Sequence, residues 1–297
     1  INNTYNYRAI NLKLDSDSDE NLRYIQLLIN VDSENELISH YMDIISVGIL
    51  TGIIMSIIAS YILSKKTLVP IANTLKMEFV QNASHELRTP LTIIQAKQEL
   101  LLQEPDAKII DKSEDIMLTL NETKRLTKLT KDLMILARAD ENNIKLNKEK
   151  VDIDELIDGM AKPYIEMAEF EEKQMKLNLQ YEEEAFIDTS KIYQVMVILL
   201  DNAIKYTEKG DCIEINTYSK DGKCVIEVKD TGIGISEEAI THIFDRFYRE
   251  DKARNRETGG SGLGLSIADV IVKAHNGTIK ASHNKPKGTI FTIKLPK

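Results

Sequence analysis

Phe79-Val80-Gln81-Asn82-Ala83-Ser84-His85-Glu86-Leu87-Arg88-Thr89-Pro90-Leu91 sits inside a run whose apolar residues recur at helical spacing. Leu68, Ile71 and Leu75 precede it and Leu87, Leu91, Ile94 and Leu101 continue the stripe, which predicts a long amphipathic helix. His85 does not fall on the stripe. At about 100° per residue it stands roughly 200° round from Leu87, so its ring is expected to face solvent. Glu86 is its neighbour, and Thr89 lies one turn on, where it can share their face. Pro90 removes a backbone donor and is expected to loosen the helix just past the histidine. Taken alone, a His-Glu pair here reads as a solvated polar face.

Towards the C-terminus the helix is expected to end near Gln103-Glu104-Pro105-Asp106, and a second periodic segment runs through Ile109, Ile116, Leu120, Leu126, Leu129, Leu133 and Leu136. Two long amphipathic helices with a short join form an antiparallel hairpin. One hairpin cannot bury its own stripe, so two copies should pair as a four-helix bundle, which predicts a homodimer. A monomeric hairpin packed on the next domain is the alternative.

Towards the N-terminus, Ile44 to Leu63 holds twenty residues without a charge, long enough to span a bilayer as a helix. Asp43 flanks one end, Lys65 and Lys66 the other. The positive-inside tendency makes the lysine end cytoplasmic, with residues 1–43 outside. Residues 5–14 and 22–31 read as strands, with a turn at Asp15-Ser16-Asp17-Ser18-Asp19. Such a hairpin is barely stable alone, so it is expected to be the tail of a larger sensor domain. The chain starts at Ile1, not Met, and is expected to be a fragment whose parent has an earlier span or a signal peptide.

The 297 residues carry a net charge of −9, with no basic stripe of interleaved aromatics, so no nucleic-acid partner is expected. Cys212 and Cys224 stand in candidate strands without a CxxC or a histidine cluster. They read as buried, reduced thiols of a cytosolic domain, not as a disulfide or a zinc site.

From residue 144 the pattern becomes mixed. Helical runs at about 152–172, 190–207 and 262–275 alternate with strand-like runs at 175–180, 184–189, 212–218, 223–230, 278–283 and 289–295. Strands on one side with helices covering them fit an α/β two-layer sandwich. Four clusters stand out. In Leu199-Leu200-Asp201-Asn202-Ala203-Ile204-Lys205-Tyr206-Thr207, a helical Asn among apolar residues offers an amide oxygen suited to Mg²⁺; a cap or surface Asn is the plain alternative. Asp230-Thr231-Gly232-Ile233-Gly234-Ile235 follows a strand, where a carboxylate can accept from an adenine amino group and glycines permit close approach. By itself that pattern is also an ordinary turn. Gly259-Gly260-Ser261-Gly262-Leu263-Gly264-Leu265 opens a helix and can present backbone N–H groups to phosphates. Its spacing does not fit G-x-G-x-x-G, because residue 265 is Leu and residue 267 is Ile, nor a Walker loop, because Gly264 is followed by Leu265 and not Lys. Phe244-Asp245-Arg246-Phe247-Tyr248 leads into a charged stretch, 249–258, that reads as a lid.

The run Phe79–Leu91 resembles the H-box of sensor histidine kinases, and the four clusters, taken in chain order, resemble the N, G1, F (Phe244–Tyr248) and G2 (Gly259–Leu265) boxes of their Bergerat (GHKL) ATP domain. Within that family, Phe-Val-Gln-Asn-Ala-Ser-His with Leu-Leu-Asp-Asn-Ala looks most like the CiaH-type sensors of Gram-positive bacteria. The resemblance covers residues 64–297. It implies a membrane sensor kinase of a two-component system: a remnant sensor segment (1–43), a transmembrane helix (44–63), a helical connector (64–77), a dimerisation and phosphotransfer domain (78–141) and an ATP domain (142–297). The connector is too short for the four-helix HAMP relay that many of these sensors carry, so one stiff rod is expected to join membrane helix and histidine.

By the same resemblance His85 accepts the γ-phosphoryl group of ATP and a response-regulator Asp then receives it. Asn202 holds Mg²⁺ and Asp230 reads adenine. Lys205 and Tyr206 flank phosphates and base, and Thr289 reaches adenine through water. Gly232, Gly234, Gly260, Gly262 and Gly264, with Ile235 and Leu263, shape the pocket. Ile198 departs from the family pattern, which usually has a further Asn there. Phosphoryl transfer asks mainly for positioning and charge neutralisation. Glu86 is the candidate general base, hydrogen-bonding one ring nitrogen while the other attacks. Glu86-Leu87-Arg88-Thr89 matches the E-x-x-T pattern whose Thr orients a water to dephosphorylate the regulator. Three other readings compete: an ATP-driven clamp or chaperone on the same fold, a receptor with a vestigial ATP domain, and a coiled-coil adaptor. The first gives no reason for His85-Glu86. Loss of Asn202 or Asp230 would favour the second. The third leaves the glycine clusters unexplained.

Overall fold

The computed structural model describes residues 6–14, 23–63, 65, 69–141, 143–250 and 260–297. The expected turn at 15–19, most of the expected lid, Gly259, and the join at 64 and 66–68 that would make one rod lie outside the described residues. The chain divides into two units, Ile1–Met77 and Glu78–Lys297.

In the first unit β1 (Tyr7–Leu14) and β2 (Arg23–Asn30) pair antiparallel, with Tyr7 opposite Asn30 and Leu14 opposite Arg23. The Asn30 side chain accepts from the Asp32 backbone N–H at 2.9 Å, and helix α1 (Asp32–Leu63) begins there. Asp32 and Glu34 in its first turn complement the helix dipole. The helix thus starts well before the charge-free run at Ile44, which forms its second part. Ile44, Ile49, Leu50, Met55 and Leu63 are all exposed. Among the described residues α1 is the one helix long and apolar enough to cross a membrane.

Helix α2 (Val69–Gln103) crosses the division between the units. In the second unit a 3₁₀ turn (Ile109–Lys112) leads into α3 (Ser113–Asp140), completing the expected hairpin. Lys97 and Asp115, 2.7 Å apart, fix its register. Pro90 does not break α2: the helix continues through it and the ring is buried. Packing of the ring there outweighs the hydrogen bond it cannot donate.

The remainder is an α/β sandwich. A small antiparallel pair, β3 (Glu149–Asp152) with β5 (Glu184–Ile187), stands beside a five-stranded sheet. That sheet runs β4 (Gln174–Gln180), β6 (Cys212–Lys220), β7 (Lys223–Asp230), β9 (Thr289–Pro296), β8 (Thr278–His283), with β4 parallel to β6 and the other pairs antiparallel. Strict alternation in β9 sends Thr289, Phe291, Ile293 and Leu295 into the core. Three helices cover that face: α4 (Ile153–Phe170), α5 (Thr189–Tyr206) and α6 (Gly264–Ala274). Asp152 caps α4 by accepting from Glu155 N–H at 3.0 Å, and Asp188 caps α5 by accepting from Lys191 N–H at 3.1 Å. Strand β3 was absent from the sequence reading. Its four residues carry one apolar side chain, too few for a period of two to register. Of the two free thiols, Cys224 is fully buried and burial pushes it up to about 12, whereas Cys212 is only half-buried.

Candidate functional site: a phospho-acceptor helix and a glycine-joined pocket

On α2, His85 is exposed and Glu86 half-buried. The Thr89 hydroxyl donates to the His85 carbonyl of the preceding turn at 3.4 Å, a long bond that leaves it readily exchangeable. Arg125 on α3 stands level with Glu86, Nη2 to Oε2 being 3.8 Å, while its Nη1 lies 3.6 Å from Glu122 Oε2.

The N and G1 clusters meet where α5 ends. Ile233 N–H donates to the Tyr206 carbonyl at 3.1 Å, and a Cβ on Gly232 would sit 2.1 Å from that oxygen. Gly232 is therefore demanded by protein backbone, whatever a ligand's approach requires in addition. Asp230 ends β7. Its Oδ1 accepts from Gly232 N–H at 3.0 Å and from Thr289 N–H at 3.2 Å. Among the described residues Oδ2 takes no hydrogen bond, so one carboxylate oxygen is left for a ligand. Burial raises this carboxyl above the ordinary carboxylate range, and the two backbone N–H groups oppose that shift. Behind it, Asn284 donates to the Asp230 carbonyl at 2.8 Å, and a Cβ on Gly288 (φ +109°) would lie 2.0 Å from the same oxygen. The Asp211 carboxylate accepts from the Thr231 hydroxyl and from Glu208 N–H, and pairs with Lys287 at 2.8 Å. Gly288, Asn284 and Asp211 escaped the sequence reading. The Gly-Thr step before β9 was the one signal that could have flagged Gly288.

The N and G2 clusters meet through Lys205, whose Nζ lies 3.3 Å from where a Gly260 Cβ would be, and through Ile198, whose Cγ2 is 3.2 Å from a Cβ on Gly264. Ile198 thus packs helix α5 against the start of α6. The Lys205 ammonium stands 5.0 Å from the Tyr206 ring centroid. Gly262 (φ +71°) closes on the Phe247 backbone, where a Cβ would lie 2.9 Å from its Cα, and Phe247 N–H donates to the Gly262 carbonyl at 3.0 Å. Phe247 itself has φ 61°, a strained region for a bulky residue. Gly234 (φ +76°) lies beside Gly288. Leu263 is fully buried, and Ile235 is partly buried against the same core, so the Leu263 side chain is a packing residue and only its backbone could face a ligand.

The Asn202 amide is half-exposed and makes no hydrogen bond among the described residues. An amide oxygen of this kind suits Mg²⁺, which keeps several waters and leans on substrate phosphates. No group of three or more His, Cys, Asp or Glu side chains able to hold a metal occurs among the described residues.

The F cluster also reaches the helical hairpin. Arg246 makes a two-pronged pair with Asp140 at the end of α3, at 2.9 and 2.5 Å. The Arg246 guanidinium lies 5.1 Å over the Phe79 ring, and the Phe79 and Phe247 rings are 5.7 Å apart. Phe79, quoted only as a helix residue, and Asp140 are contributions the sequence reading missed, because pairing across more than a hundred residues leaves no local pattern.

The family described as the His Kinase A (phospho-acceptor) domain matches residues 75–142, and that described as histidine kinase-, DNA gyrase B-, and HSP90-like ATPase matches residues 187–297. The fold is therefore that of a phospho-acceptor hairpin followed by a GHKL-type ATPase domain. The chain thus carries a histidine-kinase phospho-acceptor domain and a histidine-kinase-like ATPase domain in that order. It is 37% identical over 293 residues to the sensor protein CiaH of Streptococcus pneumoniae, covering 97% of this chain and 65% of that protein. The solved histidine kinase AdeS of Acinetobacter baumannii superposes with a TM-score of 0.59 at 27% identity, over 71% of this chain and 97% of that one. The histidine kinase ThkA, solved in complex with the response regulator protein TrrA, shares the fold with a TM-score of 0.58 at 24% identity, over 80% of this chain and 66% of that one.

Proposed function

We propose that the chain is an ATP-dependent protein histidine kinase anchored in a bacterial membrane, with its catalytic domains cytoplasmic. The observation that carries this reading is the joining of four clusters, two of them glycine-bearing, around Asp230 and Asn202, in one unit with an exposed His85. In the proposed reaction a neutral ring nitrogen of His85 forms a bond to the γ-phosphorus of ATP as the bond to the β–γ bridging oxygen breaks and ADP leaves. Glu86 takes the proton from the other ring nitrogen. The N–P bond then breaks as a carboxylate oxygen of a response-regulator Asp bonds to phosphorus. The pairing of ThkA with a response regulator supports that partner class. Mg²⁺, where bound, neutralises phosphate charge, and Asn202 is the residue to hold it. Asp230 accepts from the adenine amino group, Thr289 reaches adenine through water, and Lys205 and Tyr206 flank phosphates and base. In the reverse activity Thr89 orients the water that dephosphorylates the regulator.

Exposed apolar residues on both hairpin helices, among them Val80, Leu91, Leu100, Ile116 and Leu120, support pairing of two chains into a four-helix bundle. The proposed organisation is 1–43 sensor remnant, 44–63 membrane span, 64–77 connector, 78–141 phosphotransfer domain and 142–297 ATP domain. The test is nucleotide affinity of the chain in detergent micelles, with and without Mg²⁺. Asn202→Ala is expected to lose most of the Mg²⁺-dependent gain, on the order of ten-fold, while keeping Mg²⁺-free binding. Equal loss under both conditions would contradict the role given to Asn202.

A further inference from the structure

Two arginines join elements in the second unit, and they do so differently. Arg246 is committed: both of its terminal nitrogens hydrogen-bond Asp140, at 2.9 and 2.5 Å, the fork geometry that suits a guanidinium and a carboxylate. Arg125 is not. It lies 3.8 Å from Glu86 and 3.6 Å from Glu122, within ion-pair reach of both and hydrogen-bonded to neither. Glu122 Oε2 is buried and has no hydrogen-bond partner, a costly state for a carboxylate oxygen that draws a nearby donor towards it. One guanidinium thus stands between two carboxylates, and a close fork with one excludes a close fork with the other. Besides Arg125 and Glu122 from α3, the charged or titratable neighbours of Glu86 are His85 and the exposed Arg88 on its own helix. Among the described residues no other ion pair reaches Glu86.

We infer that Arg125 is a positioning residue that partitions between Glu122 and Glu86, and thereby decides when the Glu86 carboxylate is available to His85. This rests on the reading of Glu86 as general base. With Arg125 closed on Glu122, Glu86 is free to hydrogen-bond the His85 ring and take its proton. With Arg125 closed on Glu86, the carboxylate is held by the guanidinium and turned away from the ring. The sequence hides this device, since the pair connects α2 to α3 across the hairpin and Glu122 and Arg125 look like an ordinary charged turn of a solvated helix.

The two carboxylate positions predict opposite outcomes. Glu122→Gln removes the competitor, so the kcat of autophosphorylation falls several-fold while KM for ATP holds. Arg125→Gln releases Glu86, so kcat rises while KM holds. It also leaves the buried Glu122 Oε2 without a counter-charge, so the double variant, which removes that charge, guards against a folding defect. The double variant should behave as Arg125→Gln does, because Glu122 acts only through Arg125. The measurement is the initial rate of label transfer from γ-labelled ATP to the full chain across ATP concentrations at one pH, with Glu86→Gln beside it. A kcat that falls in both single variants, or additive effects in the double, would overturn the inference. So would an unmoved kcat in variants that remain folded. If Glu86→Gln itself keeps full activity, the general-base reading has failed. If it loses activity while the other variants leave kcat unmoved, only the role of Arg125 has failed.

Discussion

Asp230 shows how much of the site turns on single side chains. The folded carboxyl is raised above the ordinary value of 3.8, so the native state holds its proton to higher pH than the unfolded chain. Ionisation therefore costs stability as pH rises from 3.8 through the raised folded value. An Asn at this position still accepts the Gly232 and Thr289 N–H groups but points an amide NH₂ where the second carboxylate oxygen was. Asp230→Asn should thus melt higher than the parent at pH 7 while losing about 1–3 kcal/mol of ATP binding, on the order of ten- to hundred-fold in affinity. Calorimetry of the ligand-free protein and nucleotide titration check the two halves separately, and a lower melting temperature would refute the first. Gly288 makes the companion case. An added methyl would meet the Asp230 carbonyl at 2.0 Å at a φ of +109°, so Gly288→Ala should cost at least about 1–3 kcal/mol of stability from backbone strain alone. It should also weaken ATP binding by displacing Asp230, whereas a normal affinity would contradict the cradle described above.

The elements differ in how openly the sequence declares them. Helices α2, α3, α4, α5 and α6 and most strands follow from the 3.6- and 2-residue periods, because each buries one face against one core. Strand β3 did not, being held by tertiary pairing to β5 and by Asn147 N–H donating to Asp188 at 2.9 Å. His275 likewise gave no signal, yet it fastens α6 to the start of α5. Its Nε2 accepts from the Asp188 N–H at 3.0 Å, so Nδ1 carries the proton that it donates to the Ile271 carbonyl at 2.8 Å. Burial lowers this imidazole below its ordinary 6.5, with Lys148 acting in the same direction. A depressed folded value means that the unfolded chain takes up the proton first, so stability is retained above 6.5 and lost as pH falls through the folded value. The protein should therefore lose more stability between pH 7.5 and pH 5 than His275→Gln does, as read by denaturant midpoints. Parallel curves for the two would show that His275 carries no such linkage.

At the scale of the whole molecule, the sequence disclosed the order of parts but not how they touch. A charge-free run, an amphipathic hairpin and four short clusters, two of them rich in glycine, were legible because each is local. Gly232 and Gly262 were read as room for a ligand; backbone packed directly against them also requires glycine there, as it does at Gly288, which gave no such signal. The contacts that bring cluster to cluster, and Arg246 to Asp140 and Phe79, span long separations that no periodicity records. What unites the parts is the claim that His85 receives the γ-phosphoryl group of ATP. The measurement closest to that claim incubates the full chain in micelles with γ-labelled ATP and Mg²⁺, beside His85→Gln and Thr89→Ala, and then maps the label to a peptide. The account predicts label that is acid-labile and base-stable, confined to the peptide containing His85, absent from His85→Gln and largely kept in Thr89→Ala. Label on another residue, or ATP bound and hydrolysed with no labelled histidine, would contradict it.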